Sequence, residues 1–334
     1  MIKTTTAKVA VIGGGSGCFN LLQAFKRENW DLSALVNMAD NGGSSGVLRD
    51  ELGVLPPGDI RQCLVALSQS PKMRDLFSDR FDTGGLKGQS FGNLFLSATQ
   101  EMTDNFGQAV ALAGEVLRVA GRVIPITNDD VQLVAKLADG RIINGEYQVA
   151  QADMKGNGQR AELSLRPRAN LSADARAAIG QADLIVIAPG NLYGSLAPAL
   201  IVGGLQEALA KTSARIVYIC NLVTKPGQTD GYKVHDYAGE IERFIGRPLL
   251  DWVIYNIETP APEVLKKYVH EDEFLVGADA DQLNDRHYKS VGLPLIAGAV
   301  AQCHAADVVG LQRSLIRHEA VALAAQINKI INRV

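Results

Sequence analysis

The sequence predicts an α/β protein: a Rossmann-like parallel sheet flanked by helices, with a β-rich insertion around residues 123–167. Three observations predict it. Short continuous apolar runs recur along the chain, as expected of strands buried on both faces. Helix-period segments alternate with them, which is the βαβ pattern of a parallel sheet. Four of the runs end directly in a turn rich in Gly and small polar residues.

The first third reads β-α-β. Residues 7–12 form a short apolar run, and residues 18–26 have helical spacing with Phe19, Leu22 and Phe25 on one side. Residues 32–36 are the next strand. Leu55-Pro56-Pro57-Gly58-Asp59 is a rigid turn, and Asp59 is a natural N-cap for a helix over 60–67. Further helices are expected over 91–102 and 105–119. The period then changes. Residues 122–127, 131–137 and 142–149 read as strands, with Asp139-Gly140 as a hairpin signal, and 161–165 adds another. These strands make up the insertion, either a cover for the site or a contact surface. The parallel pattern resumes with a helix over 173–180, a strand over 184–188, a helix over 196–209 and a strand over 215–220. A helix over 234–245, a strand over 252–255 and a short helix over 262–268 follow, with Pro262 suited to the first helical position. An amphipathic helix over 315–331 ends the pattern, its apolar stripe reading as core or dimer surface, with core preferred. No internal repeat or linker divides the chain, so one domain with an insertion is expected over 1–334.

The 334 residues carry a formal net charge of -3 with no Lys/Arg cluster, which argues against broad nucleic-acid binding. No apolar stretch approaches the roughly 20 residues of a membrane span. The polar residues 1–8 do not read as a signal peptide. Cys18, Cys63, Cys220 and Cys303 form no C-x-x-C pair and sit in apolar contexts, so reduced buried thiols and a cytoplasmic location are expected.

The four loops carry the chemistry. Loops at the carboxyl ends of parallel strands share one edge of the sheet, where ligands bind. The first loop is Gly13-Gly14-Gly15-Ser16-Gly17. It is not a dinucleotide fingerprint, because Cys18 stands at the third glycine position, and no Gly-Lys-Ser/Thr makes a phosphate-binding loop of the Walker type. It remains a Gly-rich turn opening a helix, suited to an anion; taken alone it also fits a ligand-free tight turn. The second loop, Asp40-Asn41-Gly42-Gly43-Ser44-Ser45-Gly46, combines a carboxylate, an amide and hydroxyls with close backbone approach. Asp40 there suits a ribose, a metal or a base. The third loop runs Pro189-Gly190-Asn191-Leu192-Tyr193-Gly194-Ser195. The fourth holds Asn221, then Thr224-Lys225-Pro226-Gly227-Gln228-Thr229-Asp230-Gly231. Arg61, in the first turn of its helix, opposes the helix dipole and so fits an aim at an anion. Ser90 and Asn93 belong to a further Gly/Ser turn. Of the five histidines only His235 lies near one of the four loops in sequence, and no zinc spacing or nucleophile elbow is present.

Together these stretches resemble the YvcK family of bacterial gluconeogenesis factors, within the CofD-like superfamily. The matching segments are Gly13-Gly14-Gly15-Ser16-Gly17, Ala39-Asp40 through Gly46, Leu55-Pro56-Pro57-Gly58-Asp59-Ile60-Arg61-Gln62-Cys63, Gly88-Gln89-Ser90-Phe91-Gly92-Asn93, Pro189-Gly190-Asn191-Leu192-Tyr193 and Pro226 through Gly231. The resemblance implies a cytoplasmic protein linked to cell shape and gluconeogenic growth that binds UDP-sugars such as UDP-N-acetylglucosamine. It also implies a relative, the phospholactate transferase, that moves a phospholactyl group from a guanosine diphosphate adduct. The family usually has two adjacent aspartates in the second loop, where this chain has Asp40-Asn41. Its third loop usually reads Gly-Ser-Leu-Tyr-Thr-Ser, where this chain has Asn191 and Gly194.

Two expectations follow. In the first, a nucleotide-sugar-binding regulator holds the diphosphate on Gly13, Gly14, Gly15, Ser16 and Gly17 and on Gly42, Gly43, Ser44 and Ser45. The base and ribose meet Asn191, Tyr193 and Asn221, and the sugar meets Asp40 and Asp230; Asn41, Arg61, Ser90, Asn93, Gly190, Ser195 and Thr224 are further ligand-binding candidates. In the second, a Mg-dependent transferase uses Asp40 or Asp59 beside the reacting phosphate. A homodimer is the expected assembly in either case.

Overall fold

A computed structural model describes residues 6–42, 46, 48–49, 53–154, 160–298 and 315–332. The strands among them are, in chain order, β1 (Ala7–Gly13), β2 (Trp30–Val36), β3 (Arg122–Pro125), β4 (Gln132–Lys136), β5 (Ile142–Asn144), β6 (Glu162–Arg166), β7 (Leu184–Ile187), β8 (Arg215–Ile219), β9 (Trp252–Asn256) and β10 (Lys289–Leu293). Seven of them form one sheet in the order β10-β9-β8-β7-β1-β2-β3, and every pairing in it is parallel. The apolar runs have their cause here. Alternate residues of β1 serve opposite faces: Ala10 and Ile12 enter one core, Val9 and Val11 the other. A strand covered by helices on both sides has no solvent face to make polar.

The strand order reverses at one place. From β1 the chain steps outward to β2 and β3; from β7 it steps the other way to β8, β9 and β10. The boundary between β1 and β7 is therefore the topological switch point of the sheet. Helices Gly15–Phe25, Gly58–Leu67, Pro71–Ser78, Phe91–Glu101 and Phe106–Leu117 lie between β1 and β3 in the chain. Ala173–Gln181, Leu205–Lys211, Val234–Ile245 and Pro262–His270 accompany the other half, and Ala320–Ile331 packs against Gly15–Phe25.

The second sheet is small and antiparallel, in the order β5-β4-β6. It is the expected insertion with two corrections. The strand expected at its start, β3, pairs with β2 and extends the large sheet instead. The strand expected over 142–149 stops at Asn144, and Glu146–Gln151 is a helix. Gly145, at φ 98°, breaks the pleat between them.

Other boundaries also moved. Asp59 lies inside the first turn of Gly58–Leu67, with Pro57 at the cap position, so it is not the cap. The helix expected over 196–209 is a π-helical turn at Leu192–Leu196, a short helix at Ala197–Leu200 and a separate helix at Leu205–Lys211. The closing helix begins at Ala320 rather than 315. Cys18, Cys63 and Cys220 are buried free thiols, and Cys303 lies outside the described residues. No helix among the described residues is long and apolar enough to cross a membrane.

Candidate functional site

The loops leaving β1, β2, β7 and β8 meet at the carboxyl edge of the large sheet. The Asn37 N–H donates to Gly13 O at 3.2 Å, which joins the roots of the first two loops. Asn221 Nδ2 donates to Gly190 O at 2.7 Å and joins the third and fourth. Across the switch point the first and third loops touch: a Cβ on Gly17 would run into the carbonyl oxygen of Pro189. Only a glycine lets the two backbones come this close.

The first loop opens the helix Gly15–Phe25, which has no side-chain cap and no acidic residue in its first turn. Its leading N–H groups and dipole favour an anion. The anion beside them in this structure belongs to the protein. A Cβ on Gly14 would collide with Asp59 Oδ2, so the Asp59 carboxylate lies directly against the turn.

Asp40 accepts a hydrogen bond from the Gly42 N–H at 2.9 Å. Asn41 is committed to the insertion: its Nδ2 donates to Gln148 Oε1 at 3.1 Å and its Oδ1 accepts from the Tyr147 N–H at 2.8 Å. Gly43, Ser44 and Ser45 lie outside the described residues.

Several expected ligand residues have internal work. Arg61, Ser90 and Asn93 are buried together: Arg61 Nε donates to Asn93 Oδ1 at 2.9 Å, and Ser90 Oγ accepts from the Asn93 N–H at 3.2 Å. Asn191 accepts from the Gly194 N–H at 2.7 Å and donates to Gln228 Oε1 at 3.3 Å. Thr224 is buried, its Oγ1 accepting from the Phe274 N–H at 3.0 Å. Tyr193 is only 3% exposed and its hydroxyl donates to Glu240 Oε2 at 3.2 Å. Burial, with the Glu240 charge adding to it, drives that phenol well above its ordinary pKa. Gly190, Ser195 and Asn221 are half-buried, and Asp230 is exposed.

Two groups at this edge were not legible as site residues. Glu146, at the start of the insertion helix, has its Oε1 2.8 Å from where a Cβ on Gly194 would stand. Burial, then the charges of Asp40 and Asp59, push its carboxyl up to about 8. Two carboxylates from two separate elements thus bear on the Glu146 carboxyl. The signal for Glu146 was present in Gly145, which ends the strand and leaves Glu146 to open a helix. The other group is His318. Its Nε2 lies 2.9 Å from Cys220 O, where β8 gives way to the fourth loop, so His235 is not the only histidine near these loops. Burial holds His318 down at about 4.

No group of three or more His, Cys, Asp or Glu among the described residues is placed to hold a metal ion. Two hollows lie elsewhere. One, of about 290 Å³, is lined by Leu55, Gln100, Asn105 and Asn128. The other, of about 530 Å³, is lined by Arg215, Trp252 and Lys289 at the opposite edge of the sheet. Neither is where the loops converge, and position at the switch point outweighs size here.

A family model described as 2-phospho-L-lactate transferase CofD matches residues 9–296. The chain belongs to the CofD family. A relative in Bacillus subtilis named gluconeogenesis factor is 37% identical over 322 residues, covering 95% of this chain and 96% of the relative. A relative from Nostoc sp. is 44% identical over 282 residues, 83% of this chain and 61% of that protein's own length. A crystal structure of protein BH3568 from Bacillus halodurans superposes with a TM-score of 0.87 at 35% identity, covering 97% of this chain and 99% of the other. The fold is thus shared along nearly the whole chain.

Proposed function

We propose that this protein is a cytoplasmic regulator that binds a nucleotide sugar of the UDP-N-acetylglucosamine class in the crevice between the first and third loops. The link to gluconeogenic growth rests on relatives named gluconeogenesis factor, and that to cell shape on the resemblance of the loop motifs alone. One observation carries the binding reading: the reversal of strand order between β1 and β7, with a glycine turn, an uncapped helix start and a third loop meeting there. The diphosphate faces the start of Gly15–Phe25, where Asp59 must turn aside or be neutralised to admit it. Base and ribose approach Asn191 and Asn221 at the half-buried rim. Tyr193 takes no part, because it is buried against Glu240. Calorimetric titration of UDP-N-acetylglucosamine against wild type and Gly14→Arg tests the placement, with an unfolding curve to show that the variant folds. Equal heats in the two would reject it.

The family's transferase description favours a second reading, turnover of a nucleoside diphosphate adduct. In that reading Asp40 stands beside the reacting phosphate, and Asp40→Asn abolishes turnover while leaving binding nearly intact. Full turnover in that variant removes Asp40 from the chemistry.

A further inference from the structure

The hollow of about 530 Å³ at the far edge of the sheet is built by strand register. Three of its lining residues, Arg215, Trp252 and Lys289, each open a strand: β8, β9 and β10. Lys289 pairs with Trp252, and Trp252 pairs with Val217, two residues beyond Arg215. Paired residues of neighbouring strands share a face, and so do residues two apart along one strand. The three side chains therefore leave one face of the sheet at its amino edge, away from the converging loops. The end of the helix Ala320–Ile331 meets that face, where Arg215 Nη1 donates to Ile330 O at 3.3 Å.

The cations of the hollow lack anionic partners. Among the described residues neither Arg215 nor Lys289 forms an ion pair. Lys289 stands over the Trp252 ring, its Nζ 5.2 Å from the centroid. The single bond to Ile330 leaves most of the Arg215 N–H donors uncommitted. Trp252 is 6% exposed, so its indole is a wall of the hollow and not a stacking platform. The two remaining lining groups are held in place. Asp251 Oδ2 accepts from the Ile216 N–H at 2.7 Å, and His287 Nε2 lies 2.9 Å from Glu242 Oε1.

We propose that this hollow is a second binding site, for a small hydroxylated phosphate monoester. The phosphate seats between the Arg215 guanidinium and the Lys289 ammonium, a fork and a point charge that both suit a compact dianion. The hydroxyls of the ester meet Asp251 and His287. A hollow of this size admits more than a bare phosphate. The Asp251 carboxylate repels a second phosphate group, so a nucleoside diphosphate is disfavoured here and the ligand differs from that of the crevice. Two cations on a chain of net charge -3 are too few to hold a nucleic acid or an anionic membrane.

Trp252 reports on the site. In Trp30→Phe it is the sole tryptophan, and a phosphate that draws Lys289 off the ring changes its emission. Inorganic phosphate tests the phosphate seat and ribose 5-phosphate the whole site, each titrated at constant ionic strength by fluorescence and by calorimetry. Saturable binding is expected, with a Kd on the order of 1 mM for ribose 5-phosphate and about tenfold weaker for inorganic phosphate. Arg215→Gln and Lys289→Gln should each weaken both ligands by about tenfold or more, and Arg215→Lys by less. Unfolding curves check that the variants fold; Lys289 is exposed, so Lys289→Gln serves even if Arg215→Gln does not. Absence of saturable binding of either probe overturns the proposal, as does calorimetric binding that survives unchanged in Lys289→Gln. Equal affinity of the two probes overturns the assignment to an ester. Saturating UDP-N-acetylglucosamine should leave the phosphate titrations unchanged, so failure at the crevice and failure at this hollow are read separately.

Discussion

Gly17→Ala puts one methyl group between the first and third loops. The added Cβ overlaps the Pro189 carbonyl oxygen and stands 3.1 Å from its carbon. Carbon contacts relax near 3.5–4.0 Å, so the two loops must part by on the order of 1 Å. The obstacle is backbone and cannot rotate away. It is also anchored by β7, whose four residues are all buried, so the strain passes into the core. Overpacking of this kind costs about 1–3 kcal/mol. The control is Gly180→Ala, in the helix Ala173–Gln181, where a Cβ meets nothing within 4 Å. That change is expected to stabilise by up to about 1 kcal/mol, through higher helix propensity and a less flexible unfolded chain. Urea unfolding of both variants should separate them by about 2 kcal/mol or more, and calorimetry should show weakened nucleotide-sugar binding in Gly17→Ala alone. Equal stability of the two, within about 0.5 kcal/mol, would refute the argument that this contact sets the spacing at the switch point.

Three further outcomes are expected. Tyr193→Phe loses the hydroxyl bonded to Glu240 and costs about 1 kcal/mol in urea unfolding; calorimetry should find its ligand binding unchanged, against the sequence expectation that Tyr193 meets the base. Glu240→Ala removes a fully buried carboxylate from Arg160, at 2.6 Å, and Arg243, at 2.8 Å. Its cost in the same assay falls near about 3 kcal/mol, the low end for a broken buried pair, because both guanidinium groups reach solvent. His318 is held at about 4, below the ordinary value, so the unfolded chain binds the extra proton. Stability is then fully present above about pH 6.5 and falls as pH drops toward 4, by up to about 3 kcal/mol; His318→Gln should flatten unfolding curves measured across that window.

The strands of the large sheet were legible because double-sided burial writes itself as unbroken apolar runs. β7 is the clearest case, and its bounds were expected to within one residue. The edge strand β10 was not legible: Lys289, Ser290 and Gly292 interrupt its pattern, and its residues are only partly buried. Edge position also misled the reading of β3, whose sequence cannot say whether it pairs with β2 or with the hairpin that follows. The convergence of four loops followed from parallel topology alone. Which side chains face the ligand did not. Arg61, Thr224 and Tyr193 carry the right chemistry for ligand contact, but each satisfies a partner elsewhere in the chain. Such pairings span 32 to 50 residues and leave no local mark.

The small sheet β5-β4-β6 carries its own hydrogen-bond ladder and shares none with the large one. Much of what joins it to the crevice passes through the side chains of Asn41 and Gln228. Apolar packing supplies the rest: Leu133, Ala135 and Leu165 of the small sheet share one core with Ile12 and Ile187 of the large one. The same contacts that seat the small sheet thus reach the strands on either side of the β1–β7 junction, so a core substitution beneath the insertion is felt where the loops converge.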